Sequence, residues 1–315
     1  YIFGNANVQT ATSITGNTIK NSDQGIRLFD INGFNSCPGN HPFPSSVQIM
    51  SNTMNGAGIG LSNSKNVCIA NNTIENTTNS IFVSNQSDYA NIDGNTIKNS
   101  QSAALYVSGS VSPYIQDNTI TGNSEYGGFV RIEQGSNLFQ LRDNSFKGME
   151  CNSADYGQIV SNTISDYDTS AAPGIKIGYC DHIVVNDNTI KNNGMGIRMI
   201  AGLINGTFTG NTITNNDWLG AFITGSDHVF TNNVVSNNGG TSTSSVSPSY
   251  GGIIVDTSDT SNLTITGNTA KNNNQCGIYV PSTGHTTDGN IASDNNPNGT
   301  SFSNRPAGDY CGDGI

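Results

Sequence analysis

The stretch NIDGNTIKNSQSAALYVSGSVSPYIQDNTI, residues 91–120, decides the fold. It carries Asn95-Thr96-Ile97 and, 23 residues later, Asn118-Thr119-Ile120, with the alternating block Ala104-Leu105-Tyr106-Val107 between them. These apolar runs are too short for helices and alternate with period two, so successive side chains point to opposite faces. At about 3.3 Å per residue, a unit of this length winds once as three short strands joined by turns. One such coil cannot bury its inner face alone and has to stack on its neighbours.

Working outward, the Asn motif recurs at Asn17, Asn52, Asn72, Asn95, Asn118, Asn144, Asn162, Asn188, Asn211, Asn233, Asn268 and Asn290. Most steps lie near 23 residues, and the two steps of 35 hold inserts at 31–46 and 239–249, expected to leave the coils as edge loops. The second block recurs at 25–28, 58–61, 80–83, 104–107, 129–132, 174–177, 196–199, 220–223, 252–255 and 277–280. Its flanking aliphatics are expected inside, one coil above another at about 4.8 Å. The repeated Asn suits a buried turn where amides stack and satisfy backbone that strands do not reach.

Composition agrees. Only 11% of residues are charged, and Gly, Asn, Ser and Thr crowd the chain with no stretch that reads as a surface helix. Twelve cations against 23 acidic residues give a net charge of -11, which argues against nucleic acid as a partner. No apolar run approaches the roughly 20 residues of a membrane span, so no membrane insertion is expected. The chain opens at Tyr1 without a basic-then-apolar leader and without a capping helix, as in a mature product or a fragment of a larger protein, with self-association as an alternative way to cover its end. Six cysteines, Cys37, Cys68, Cys151, Cys180, Cys276 and Cys311, show no Cys-x-x-Cys spacing; disulfides are expected rather than zinc or redox chemistry. With Asn-x-Ser/Thr sequons at Asn71, Asn76, Asn85, Asn205, Asn262 and Asn298, they point to a secreted or cell-surface protein.

The repeat resembles the right-handed parallel β-helix superfamily, the pectate-lyase-like group of polysaccharide lyases, mannuronan epimerases, phage tailspikes and the copper-delivery family of nitrous oxide reductase. The resemblance runs from about Ser13 to Asn290. It implies an all-β fold, a single-stranded right-handed parallel β-helix solenoid of about 11–13 coils, read here as one domain over residues 1–315. It also implies a polysaccharide partner. The epimerase motif Asp-Pro-His-Asp and the polygalacturonase motifs Asn-Thr-Asp and Gly-His-Gly do not occur, which argues against those two activities.

Candidate chemistry follows the outward positions. The second block presents Arg27, Gly60, Phe82, Tyr106, Arg131, Lys176, Arg198, Phe222, Ile254 and Tyr279 in one column; two residues on come Phe29, Ser62, Ser84, Ser108, Glu133, Gly178, Ile200, Thr224, Asp256 and Pro281. Arg131, Lys176 and Arg198 would then lie within about 15 to 20 Å. In a uronate lyase, cations neutralise the substrate carboxylate while a base takes the adjacent proton. Lys176 or Tyr179 is the candidate base, Arg131 and Arg198 the clamps and His182 an accessory group; the alternative is that these cations only keep the surface soluble. Tyr106, Phe82, Phe222 and Tyr279, with Glu133, are candidate substrate contacts, the aromatics forming a flat platform that would equally serve a non-catalytic binding or adhesive module. A third alternative is a structural spacer in an envelope or tail protein. Glycoside hydrolysis would need two carboxyl groups, for which Glu133 with Glu150 or Asp181 is the remaining pairing. No cofactor is expected; calcium has no tight Asp cluster on this face. The Asp181-His182 and Asp227-His228 pairs fall at matching points of their coils, where they form either a metal site or solvated turns. Trp218 and Tyr250 are further aromatics for sugar stacking.

Overall fold

The computed structural model describes residues 2–3, 12–22, 25–33, 47–122, 127–167, 172–200, 202–240, 251–274, 276–281 and 283–295. Cys37, His41, Tyr250, Asn298, Cys311 and most of both inserts lie outside the described residues. Every regular element among them is a strand, and the strands follow one another in a repeating order of three, each pairing in parallel with the strand one coil away. The protein is therefore an all-strand solenoid of three parallel sheets, as the repeat predicted. By internal contacts the chain divides into two units, 1–158 and 159–315.

In the first unit, the first sheet contains Ile26–Phe29, Ile59–Ser62, Ile81–Ser84, Ala103–Ser108, Phe129–Glu133 and Met149–Asn152. Its inward residues align from coil to coil as Ile59, Ile81, Leu105, Val130 and Met149, and as Leu61, Val83, Val107, Ile132 and Cys151. The second sheet aligns Ile49, Ile69, Ile92, Ile115 and Leu141, and the third Met54, Ile74, Ile97 and Ile120. All of these are buried, each contributing roughly 1.5–3 kcal/mol by leaving water.

The second unit repeats the scheme. Its first sheet aligns Ile175, Ile197, Ala221, Ile253 and Ile278, its second Val185, Phe208, Phe230 and Ile265, and its third Ile164, Ile190, Ile213, Val235, Ala270 and Ala292. Phe208 and Phe230 stack with centroids 5.9 Å apart.

The Asn motif occupies the turn between the second and third sheets, and its role is as expected. The residue before each ladder Asn has positive φ, for example Asn71 at 54° and Asp117 at 52°, which turns the chain and aims the next side chain inward. The Asn95 amide Oδ1 accepts from Asn72 N and Nδ2 at 3.0 and 2.9 Å, while its Nδ2 donates to Ile69 O and Asn118 Oδ1, each at 2.9 Å. Asn162, Asn188, Asn211, Asn233, Asn268 and Asn290 repeat this in the second unit.

Two further ladders were not foreseen. At the turn after the third sheet of the second unit, Asn193, Asn216, Asn238, Asn273 and Asn295 bond in series; the first unit has a hydroxyl chain there, Thr77, Ser80 and Ser100 at 2.6 Å. At the turn between the first and second sheets, Ser64 and Ser87 act in the first unit, and His228 and His285 in the second. This corrects the expectation for His228, which is neither a metal ligand nor a solvated turn residue. It is 1% exposed, its Nδ1 accepts from Gly206 N at 3.0 Å, and its Nε2 lies 3.1 Å from Thr224 O. The disulfide expectation is corrected for Cys151 and Cys180, which are buried thiols outside any disulfide.

Removing the Asn95 side chain strands buried donors on Asn72 and carbonyls on both sides, so Asn95→Ala should destabilise the fold by roughly 2–4 kcal/mol, read by chemical denaturation, while exposed Asn71→Ala should cost far less. His228 gives a pH prediction. Burial lowers its pKa from the usual imidazole value, against smaller opposing effects of the Thr224 carbonyl and the Asp227 carboxylate. The unfolded chain takes up the proton below about pH 6.5 while the folded chain does not, so this stability is full above that pH and is lost as pH falls toward the lower folded value. The melting temperature should therefore drop between about pH 7.5 and 5.5, and His228→Asn should flatten the drop; an unchanged slope in the variant would refute the assignment.

Candidate functional site

Period two along the first sheet sends alternate side chains outward. In the first unit the register aligns Arg27, Gly60, Phe82, Tyr106, Arg131 and Glu150 on successive strands. The Phe82 and Tyr106 rings stack with centroids 5.0 Å apart and planes inclined by 3°. The Tyr106 hydroxyl donates to Glu133 Oε2 at 3.1 Å, and Arg131 Nε lies 3.2 Å from Glu133 Oε1. Arg131 Nη2 donates to Glu150 Oε2 at 3.1 Å, and its guanidinium sits 5.0 Å from the Phe129 ring centre. Burial raises the Tyr106 pKa and the Glu133 carboxylate reinforces the shift, with Ser108 and Arg131 opposing it. The phenol is therefore a proton donor at neutral pH, not a base.

The structure thus joins Phe82, Tyr106, Arg131 and Glu133 from the sequence reading and adds Glu150 to their column. Glu133 and Glu150 are the carboxylate pairing that the structure brings together, on one guanidinium. The coil of Glu150 is hard to recognise in the sequence because Met149-Glu150-Cys151 lacks the Gly-Ile-x-Val form; the alternation of buried Met149 and Cys151 about Glu150 is the signal it carries.

In the second unit Lys176 and Arg198 are direct register partners, and Arg198 is exposed. Tyr179 and His182 do not join them on the outward column. Both have positive φ, 53° and 56°, in the turn after Pro173–Gly178, where Tyr179 lies against Gly202 and His182 N donates to Ile204 O at 3.1 Å. Phe222 and Tyr279 are half-buried, as Phe82 and Tyr106 are. They flank Ile254, which is 3% exposed, and pack with Trp218 around Met195, Leu219, Ile254 and Cys276. Asp256 sits where the pairing shifts register, between Val255 opposite Ile223 and Thr260 opposite Gly225.

Two clefts open on the first unit. One, of about 360 Å³, is lined by Arg27, Phe29, Gly60, Ser62, Phe82 and Asn85 among others. The second, of about 430 Å³, shares Arg27 and Asn79 with the first and adds Asn76, Thr77, Thr78 and Gln101. Among the described residues no group of three or more His, Cys, Asp and Glu could hold a metal ion. No helix among the described residues is long and apolar enough to cross a membrane.

Comparisons place this geometry among known proteins. The family model described as periplasmic copper-binding protein (NosD) matches residues 3–152. No curated protein sequence matches the chain. The structure is similar to the periplasmic alginate epimerase AlgG, with TM-score 0.56 and 14% identity over 83% of this chain, and spans 64% of that protein's length. It is also similar to PfbA, a surface adhesin of Streptococcus pneumoniae, with TM-score 0.54 and 12% identity over 91% of this chain and 81% of the adhesin. At such identities the likeness is one of fold. The family model for the right handed beta helix region matches residues 148–308, more than half of the sequence, and the chain belongs to that family.

Proposed function

We propose that this protein binds an extended polysaccharide outside the cytoplasm, along the outward face of the first sheet of its first unit. The observation that carries the reading is the Phe82–Tyr106 ring stack continued by the Tyr106, Glu133, Arg131 and Glu150 network. Fixed rings supply apolar contact for sugar C–H faces, and fixed carboxylates accept hydroxyl hydrogen bonds at little further ordering cost. Arg131 already faces two carboxylates, so it suits holding these acceptors in place better than neutralising a substrate carboxylate. That favours binding over the elimination first considered. An extracytoplasmic location is in keeping with the periplasmic and surface proteins named above.

A second reading rests on Lys176 and Arg198, two cations on adjacent strands of the second unit. There the Arg198 guanidinium would neutralise a uronate carboxylate, Lys176 in its uncharged amine form would take the neighbouring C–H proton, and the C–O bond to the leaving sugar would break, its oxygen receiving that proton from Lys176, to give an unsaturated product.

Affinity electrophoresis in gels containing alginate, pectate, glycosaminoglycans or neutral glucans tests both. Retardation by at least one polymer is expected, and Tyr106→Ala or Glu133→Gln should weaken it about tenfold, the loss of one or two hydrogen bonds, with an unchanged melting temperature. No retardation by any of them would refute the binding reading. Ultraviolet absorbance of unsaturated product, abolished by Lys176→Ala, would support the second.

A further inference from the structure

We infer that a ridge of Tyr89, Leu138 and Tyr156, at the turns between the first and second sheets of the first unit, is a second contact line for polysaccharide that grips the apolar faces of the sugar rings; the inference rests on the polysaccharide reading above and adds a site which that reading does not use. The residues occupy one column. Tyr89 N donates to Val111 O at 2.9 Å, Ser112 N to Asn137 O at 2.8 Å and Leu138 N to Asp155 O at 2.9 Å. Tyr89, Ser112, Leu138 and Tyr156 therefore stand on successive rungs, and at one strand spacing per rung the ridge is ~14 Å long.

The three large residues pay for this position in backbone strain. Tyr89, Leu138 and Tyr156 have φ of 58°, 59° and 57°, where a side chain crowds the following carbonyl; Gly escapes that crowding, and the short polar chains of Asn and Asp offset it by local hydrogen bonding. Other coils follow the rule, with Asn66, Asn205, Asp227 and Asn262 at the same turn position. A bulky residue is ordinarily held in such a conformation by packing. Here burial compensates little, since Tyr89 is 39% exposed, Leu138 51% and Tyr156 53%. Their turns are locked from the side: Asp88 pairs with Lys65 at 2.8 Å and accepts from Val111 N at 2.9 Å, and Asn137 Oδ1 accepts from Asp155 N at 2.8 Å. Strain that the surrounding structure enforces, around side chains it leaves in solvent, marks a working surface.

Shape sets the occupant. The ridge is one residue wide, so it falls far short of the ~800 Å² that each partner buries in a stable protein interface. A linear polymer one ring wide fits it. Leu138 contributes only apolar contact, and each tyrosine joins an apolar ring to a polar tip, a combination suited to the C–H face and the rim hydroxyls of a pyranose. Tyr89, Ser112, Leu138 and Tyr156 carry no charge at neutral pH, so the ridge reads ring faces and not the acidity of the sugar.

Asparagine separates a binding role from a structural one, because it suits the left-handed turn and removes the apolar side chain. Leu138→Asn and the double variant Leu138→Asn with Tyr156→Asn are compared with the wild type by thermal melting and by affinity electrophoresis in alginate, pectate, glycosaminoglycan and neutral glucan gels. Leu138→Asn should raise the melting temperature by about 2 °C as strain is relieved. The double variant should weaken retention by every polymer the wild type binds, acidic or neutral, by about fivefold, and high salt should not remove the difference. A lower melting temperature in Leu138→Asn would make its side chain structural and overturn the inference. Full retention of the double variant, with Tyr106→Ala still weakening it, would overturn the ridge and leave the polysaccharide reading standing. Self-association of the wild type in the ultracentrifuge that the double variant lacks would give the ridge to a second copy of the chain and overturn it as well. A wild type retained by none of the polymers would overturn the ridge together with the reading it rests on.

Discussion

A parallel coil brings its turns into the interior, where the backbone N–H and C=O groups have neither water nor a strand partner. Every other feature depends on how that demand is met. The ladder Asn is suited to it because one amide both accepts and donates, so Asn95 can serve Asn72 and Ile69 in the coil on one side and Asn118 in the coil on the other with bonds near 2.9 Å. Register follows. Once Asn95 is fixed over Asn72, Ile97 falls on Ile74, and Ile81 and Leu105 align on the first sheet. A slip of one residue would turn Ile97 outward and Thr96 inward.

Much of this was legible in the sequence because the signal was repeated. The αL residue, the buried Asn, an outward Thr and an inward Ile must fall in that order, and few other residues satisfy all four positions. The second ladder was harder to see. Asn193, Asn216 and Asn238 sit beside Asn192, Asn215 and Asn237, which have positive φ, and in a chain so rich in Asn the pair reads as turn composition alone. The histidines failed for a different reason. Asp181-His182 and Asp227-His228 look alike in sequence, but His182 takes the left-handed turn position while Asp227 takes it in the next pair, which sends His228 inward. A one-residue offset separates a surface ring from a buried one.

The site was partly legible. Period two placed Phe82, Tyr106 and Arg131 correctly on one face, because strand geometry fixes direction. It could not assign their partners, which depend on the neighbouring coil. Arg131 looked like a free cation for an anionic ligand until the short coil from Asn144 to Asn162 set Glu150 beside it. Conversely, Phe222 and Tyr279 are outward by period yet partly covered, since Leu219 and Cys276 join Ile254 in an apolar cluster outside the coil.

What a solenoid adds is that its surface is written in units of one strand spacing. An outward aromatic followed one coil later by another becomes a stacked pair, as with Phe82 and Tyr106. An outward glycine in the same column, Gly60, leaves room that the Arg27 side chain of the neighbouring coil covers. Because the inward residues Ile59 and Leu61 hold the coil of Gly60 in register, the spacing of these outward positions is fixed by backbone hydrogen bonds and not by the side chains that occupy them. The coil can therefore change what it presents outward, a glycine here and a carboxylate at Glu150, without disturbing what it buries. Selectivity along this face is then set by which side chain each coil contributes to a column of constant pitch.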